Sequence, residues 1–176
     1  GMEWLPTGWD PAIHGCTKAP RDIPSLYIGT NNSERKRRFL LAIRPQDRRR
    51  EQGHVIAGNG WELWEPVFKT ESWATFLPPH YLHDFVALAS RAQVAINIHQ
   101  GPVGLNRKLF ELIPAAFTIT DRVPGVEEVL GDDLGYQVSF ATPEEGKALL
   151  EWALSHPEKT EELWEKEKAR IAPHTY

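Results

Sequence analysis

Cys16 is the only cysteine among 176 residues, which excludes an intrachain disulfide and any metal site built from several thiolates. It stands in an irregular stretch of prolines and glycines with no activating base beside it, so a nucleophilic thiol is not expected. Positive charge is not in excess either. Twenty Lys and Arg face 24 Asp and Glu, for a net charge of −4 and a pI near 6.0. Nothing in that balance favours nucleic acid or an anionic membrane as a partner. No apolar run approaches the roughly 20 residues that cross a bilayer, and the start of the chain lacks the basic-then-apolar pattern of a secretory signal, so the expected location is cytoplasmic. Gly1 ahead of Met2 reads as a tag remnant. Internal repeats and low-complexity segments are missing. What is present is ordinary for a globular protein, 41% apolar and 25% charged residues, in a length that suits one domain with a core of its own.

Pro6, Pro11, Pro20 and Pro24, with Gly8 and Gly15, forbid a long helix or a central strand near the start. Residues 1–24 therefore read as an extended arm or linker, and residues 25–176 as the domain. From Ser25 a rhythm begins. Short apolar runs, read as buried strands, occur at Ser25–Ile28, Gly53–Gly58, Trp73–Leu77, Gln93–Ile98, Phe117–Thr120 and Tyr136–Phe140. Between them lie helical patterns at Glu34–Ile43, His80–Arg91, Asn106–Ala115 and Pro124–Leu130, and two more follow at Thr142–Ser155 and Glu158–Ala172. Such alternation predicts an α/β fold, a Rossmann-like parallel sheet with helices on both faces. Ligands of such sheets bind at the carboxyl ends of the strands. The loops that matter are then Gly29–Arg35, Gly58–Trp61, His99–Asn106 and Asp121–Gly125.

Three of these loops carry candidate chemistry. Gly29, Thr30, Asn31, Asn32 and Ser33 lead into a helix with Arg35, Lys36, Arg37 and Arg38, an arrangement that suits a phosphate or a capped helix with a solvated basic face. His99, Gly101, Gly104, Asn106, Arg107, Lys108 and Glu111 form the second. Arg107 has the fork that pairs with phosphate. Glu111 lies four positions on, between Phe110 and Leu112, where a carboxylate needs a donor such as a ribose diol; a plain Arg–Glu surface pair is the alternative. The third, Asp121 to Glu128, reads first as a loop and a charged helix start. Trp61, Trp64 and Trp73 have rings that stack on a base or sugar, or fill a core. The His80/His83 pair lacks a third ligand, so no metal site is expected. Arg48–Arg50 reads as a solvated basic run.

Taken in order, Tyr27-Ile28-Gly29-Thr30-Asn31, Gly58-Asn59-Gly60-Trp61, Ala95-Ile96-Asn97-Ile98-His99, Asn106-Arg107-Lys108-Leu109-Phe110-Glu111, Thr120 to Glu128 and His174-Thr175-Tyr176 resemble one family. It is the C-terminal domain of the spore-maturation-protein-like glycosyltransferases, a GT-B group related to the retaining glycosyltransferase family 4. Trp4-Leu5-Pro6 and Asp10-Pro11 resemble the linker between the two GT-B halves. The resemblance implies a domain that binds a nucleotide-diphosphate sugar with no metal required. It implies that Glu111 holds the ribose, Arg107 the diphosphate, Gly29, Thr30, Asn31 and Arg35 the phosphates, and Gly58, Asn59 and Trp61 the base, with His99, Gly104 and Asn106 lining the site. Arg107 and Glu111 are the residues it assigns to catalysis. Val103 stands where the related family has a first glutamate, eight positions before Glu111, so no residue takes that role here. The family's acceptor-binding half lies on a separate domain, so this region is expected to bind its donor and to need an N-terminal domain or partner chain for transfer. The alternative is a non-catalytic module that pairs with such a partner.

Overall fold

The apolar runs become strands, and the segments between them helices, over the residues that the computed structural model describes: 9–43, 53–69, 74–102 and 104–175. In chain order these are β1 (Ile23–Ile28), α1 (Glu34–Ala42), β2 (His54–Ala57), α2 (Glu65–Lys69), β3 (Thr75–Leu77), α3 (Leu82–Ala89) and β4 (Ala92–Asn97). There follow α4 (Arg107–Leu112), β5 (Thr118–Asp121), α5 (Val126–Leu130), α6 (Asp132–Val138), β6 (Ser139–Phe140), α7 (Pro143–Ser155) and α8 (Pro157–Ile171). The strands form one parallel sheet in the order β3-β2-β1-β4-β5-β6. The chain adopts the expected Rossmann-like α/β fold, with the strand order that reverses between β1 and β4.

Parallel strands need helical crossovers, and helices cover both faces. Strand side chains accordingly split between two buried clusters. Tyr27, Ile56, Val94, Ile96 and Ile119 pack with Phe39, Phe110 and Phe140. Leu26, Ile28, Val55, Ala57 and Ala95 pack with Phe85, Val86 and Leu112. Capping follows the sequence: Ser33 accepts from the Lys36 N–H, Asn106 from Leu109 and Thr142 from Glu145. No helix among the described residues is long and apolar enough to cross a membrane.

Three expectations change. Tyr136 to Phe140 is not a strand: α6 runs to Val138, and only Ser139 and Phe140 join the sheet. Leu134 and Val138 are buried, four apart, while Tyr136 is 67% exposed, so the period is helical rather than alternating. In the aromatic stretch after Trp61 there is a short helix, α2, before β3. The first strand begins at Ile23, two residues before the expected start. Trp9 and Arg21, ahead of it, lie against the body. The Trp9 indole donates to the Ile171 carbonyl at 3.1 Å, the Arg21 guanidinium donates to the Ala92 carbonyl at 2.8 Å, and Arg21 covers the Trp164 ring at 4.2 Å. Trp4–Pro6, Arg48–Arg50, Trp73, Val103 and Tyr176 lie outside the described residues.

Candidate functional site

The reversal of strand order opens a crevice at the carboxyl ends of β1 and β4. On one side of it, the loops after β1 and β2 are bonded to each other. The Trp61 indole N–H donates to the Gly29 carbonyl at 2.7 Å, the Asn31 N–H to the Asn59 carbonyl at 2.9 Å, and the Asn31 amide to the Gly60 carbonyl at 2.7 Å. Arg37 donates to Asn31 Oδ1 at 3.0 Å and lies over the Trp64 ring. Gly58 has φ +143°, and a Cβ there would stand 2.2 Å from the Gly29 oxygen, so only glycine permits this approach. Gly29, Asn31, Gly58, Asn59 and Trp61 thus come together in one loop cluster. Thr30 is exposed beside them. Trp61, however, is 1% exposed and packs edge-on against Tyr27. An indole so enclosed offers no face for stacking on a base. Its part is to hold the loop.

On the other side of the crevice stands a fully buried carboxylate, Asp121, at the end of β5. Its Oδ2 accepts from Arg35 Nη2 at 2.7 Å and Nε at 3.2 Å. Its Oδ1 accepts from the His99 backbone N–H at 2.8 Å and from Nδ1 at 2.6 Å. Arg35 reaches it from α1, and His99 from the loop after β4. Among the described residues the other ring nitrogen of His99 has no hydrogen-bond partner, although the residue is 1% exposed.

On α4 the backbone places Arg107, Lys108 and Glu111 on one face. Glu111 is 4% exposed. Arg107 Nε meets its Oε1 at 2.6 Å, and Lys108 Nζ meets Oε2 at 2.9 Å. Burial pushes this carboxyl's pKa up, but Lys108 and Arg107 outweigh burial and hold it below the usual range. The donor that a buried Glu111 requires is therefore supplied by two cations of its own helix. Arg107 itself is 65% exposed at the side chain. Asn106 caps the helix, and Gly104 turns the preceding loop with φ +77°.

Lys36 lies between the two sides. It is 8% exposed, and Nζ donates to Asn32 Oδ1 at 2.8 Å. Burial lowers its pKa, the charge of Asp121 opposes that shift, and the charge of Lys108 adds to it. The loop after β1 and helix α4 thus share one electrostatic neighbourhood. Glu34, Arg35 and Arg38 line a cavity of about 320 Å³ beside it.

Arg35 and Arg107, both expected near phosphates, do not meet: one is held by Asp121, the other by Glu111. Lys36, Lys108 and Asp121 stand within the loops that the sequence marks, but no binding or catalytic role is assigned to them there. A run such as Thr118-Ile119-Thr120-Asp121, closing in an acid at the carboxyl end of a strand, is the signal that points to Asp121. The burial of one lysine within a basic run leaves no trace in sequence. Among the described residues no group of three His, Cys, Asp or Glu is placed to hold a metal.

The family described as glycosyl transferase-like matches residues 35–176. No curated protein matches the chain. Among solved structures, the catalytic domain of cholesterol-alpha-glucosyltransferase from Helicobacter pylori has a TM-score of 0.65 at 12% identity, over 85% of this chain and 98% of that one. An Anabaena protein in complex with UDP has a TM-score of 0.70 at 13% identity, over 95% of this chain and 51% of that one. T4 phage β-glucosyltransferase, in complex with its UDP-glucose substrate, has 0.55 at 14%, over 89% and 51%. The chain spans nearly the whole of the first and about half of the other two. At these identities the likeness is one of fold, and the fold is that of a GT-B glycosyltransferase domain. With the family match extending over most of its length, the chain belongs to the glycosyl transferase-like family.

Proposed function

We propose that this domain binds the nucleotide-diphosphate-sugar donor of a GT-B glycosyltransferase, and that hexosyl transfer to an acceptor requires a second, acceptor-binding half. The observation that carries this reading is the placement of two cation pairs, Arg35-Lys36 on α1 and Arg107-Lys108 on α4. These helices follow the two strands that flank the switch point. A diphosphate seated there meets fixed positive charge as the bond to the sugar breaks, which is electrostatic stabilisation of a leaving group. Four side-chain cations, set against the two carboxylates of Asp121 and Glu111, supply that charge without a metal ion.

Glu111 fits a ribose diol. A carboxylate has about four acceptor positions. Arg107 takes one on Oε1 and Lys108 one on Oε2, which leaves one on each oxygen for two adjacent hydroxyls. The ordered motifs from Tyr27 to His174 support membership in the spore-maturation-protein-like group. A single exposed cysteine accords with a cytoplasmic location.

The second reading is an interaction module that binds a partner half without catalysing. Leu63, Tyr81, Leu82 and Val67 favour it, being large apolar side chains 81%, 65%, 64% and 46% exposed.

Calorimetric titration with UDP, GDP, ADP, TDP and inorganic pyrophosphate, on the wild type, Lys36→Ala and Glu111→Ala, decides between them. Donor binding predicts that one nucleotide binds and that Lys36→Ala weakens it and pyrophosphate alike, at least tenfold. Glu111→Ala weakens the nucleotide only, because loss of a counter-ion alone does not weaken an anion. If no nucleotide binds at millimolar concentration, the donor reading fails and the partner reading stands.

A further inference from the structure

Building on the donor-binding reading, we propose that the ring of Tyr81 is the platform on which the nucleotide base stacks. A base has two flat π faces, and an aromatic side chain is the natural cover for one of them. The loop after β2 does not supply that ring. Trp61 is 1% exposed, and Arg37 lies over Trp64 at 5.0 Å. Among the described residues the large exposed aromatic side chains are Tyr81, Tyr136 and Trp152. Arg122 lies over the Tyr136 ring at 4.5 Å, and Trp152 stacks on His156 at 5.2 Å. Tyr81 is 65% exposed, and among the described residues no ring or cation lies over it.

Tyr81 stands between the loop after β2 and the carboxylate assigned to the ribose. Its hydroxyl accepts from the Asn59 amide at 3.4 Å, which ties it to that loop. On its other side the Phe85 N–H donates to the Tyr81 carbonyl at 3.3 Å, so Phe85 stands one helical turn, about 5.4 Å, further along α3. Lys108 Nζ lies 4.2 Å over the Phe85 ring and 2.9 Å from Glu111 Oε2. Two contacts and one turn of helix therefore connect Glu111 to Tyr81. A base follows its ribose by a single bond, whereas the transferred sugar lies beyond the diphosphate. The group that a ribose on Glu111 brings to α3 is the base.

The backbone beside Tyr81 adds a second observation. Leu82 takes φ +49° although it carries a side chain, and it is 64% exposed. The left-handed conformation costs stability, and an exposed leucine recovers little of it by packing. Strain of this kind gathers at ligand-binding segments, and here it lies at the residue that follows the exposed ring.

The test is titration of the wild type, Tyr81→Ala and Tyr81→Phe with UDP, GDP, ADP, TDP and inorganic pyrophosphate. Stacking uses the face of the ring, so Tyr81→Ala should bind the preferred nucleotide about tenfold more weakly or worse, and Tyr81→Phe should stay within about threefold of the wild type. Pyrophosphate has no base, and all three proteins should bind it alike, within about twofold. Tyr81→Trp gives a direct signal: its fluorescence, less that of the wild type, should be quenched by the nucleotide and not by pyrophosphate. An alanine variant that keeps its nucleotide affinity, or loses nucleotide and pyrophosphate equally, overturns the role of Tyr81 alone. So does a phenylalanine variant as weak as the alanine one, which would place the contact at the hydroxyl. Should the alanine variant not fold, or pyrophosphate bind too weakly to measure, Tyr81→Trp decides: no quenching by a nucleotide that binds overturns the proposal. Absence of nucleotide binding to the wild type overturns the donor-binding reading beneath it.

Discussion

Strand β5 has a buried carboxylate at each end, and the two are held in opposite ways. At its carboxyl end Asp121 accepts four hydrogen bonds, two of them from the Arg35 guanidinium. At its amino end Glu167 reaches in from α8, and among the described residues Oε2 accepts a single bond, from the Thr118 N–H at 3.0 Å, while Oε1 accepts none. Both residues are 0% exposed. Burial drives the pKa of Glu167 well up, only partly countered by the Thr118 bond. One end of the strand therefore pairs its carboxylate with a guanidinium, and the other suppresses ionisation by burial. The charged end faces the crevice. The neutral end serves to dock α8, which also donates from the Trp164 indole to the Ile113 carbonyl at 2.7 Å.

The largest effect expected from breaking this contrast is at Asp121. Asp121→Ala strips the acceptor from two His99 N–H groups inside the protein and leaves Arg35 unpaired. Arg35 is 26% exposed and can turn to water, but His99 cannot. A cost of about 3–5 kcal/mol follows from breaking a buried ion pair, a large share of a small domain's stability. Asp121→Asn should lose less, since one oxygen still accepts from His99. Urea unfolding with unchanged slope measures both. A loss below about 1 kcal/mol for the alanine variant would show that Asp121 is not the anchor described.

A smaller effect, of opposite sign, is expected at Glu167. A carboxyl with a raised folded-state pKa contributes its full stability below its unfolded value near 4.5. It then loses stability as pH rises toward the folded value, because the native state holds its proton longer than the unfolded chain. The slope is at most about 1.4 kcal/mol per pH unit for one proton. Glu167→Gln keeps an oxygen for the Thr118 N–H and cannot ionise. It should match the wild type at about pH 4 and below, and exceed it by about 1 kcal/mol or more at pH 8, seen as diverging urea midpoints. Parallel profiles would mean that Glu167 is not held neutral.

How much of this was legible in the sequence follows the same division. The short runs from Ser25 to Ile28 and from Gln93 to Ile98 showed as strands because burial on both faces makes them apolar throughout. Turns at Gly29 and Gly58 showed because each glycine ends an apolar run, and at Gly58 the backbone takes a φ of +143° that favours glycine. Thr142-Pro143-Glu144-Glu145 showed as a helix start because its chemistry is local. Tyr136 misled, since five residues around a strand–helix boundary fit either period. The pairing of Arg35 with Asp121 spans 86 positions, and nothing at either end records the other. Lys108 was visible, but its choice of Glu111 over solvent depends on the burial of α4. Local grammar was readable; charge matching across the sheet was not.

Glu111 is the intermediate case between the two ends of β5, and it gives the smallest expected effect on stability. It is nearly as buried as Asp121, yet its Oε1 partner, Arg107, is 65% exposed and four residues away on the same helix. Such pairs contribute a few tenths of a kcal/mol in water, after the loss of side-chain freedom is set against them. Lys108 stays on Oε2 when Arg107 is removed, so the carboxylate is not stranded. Arg107→Ala should therefore change unfolding stability by no more than about 0.5 kcal/mol. If Arg107 serves the diphosphate, the same variant should bind the nucleotide at least tenfold more weakly, so that affinity and stability part company at this residue. A stability loss above about 2 kcal/mol would place Glu111 with Asp121, as an internal ion pair whose cation is structural. Unchanged stability together with unchanged affinity would leave Arg107 as a solvated side chain and move the phosphate contacts to Arg35, Lys36 and Lys108.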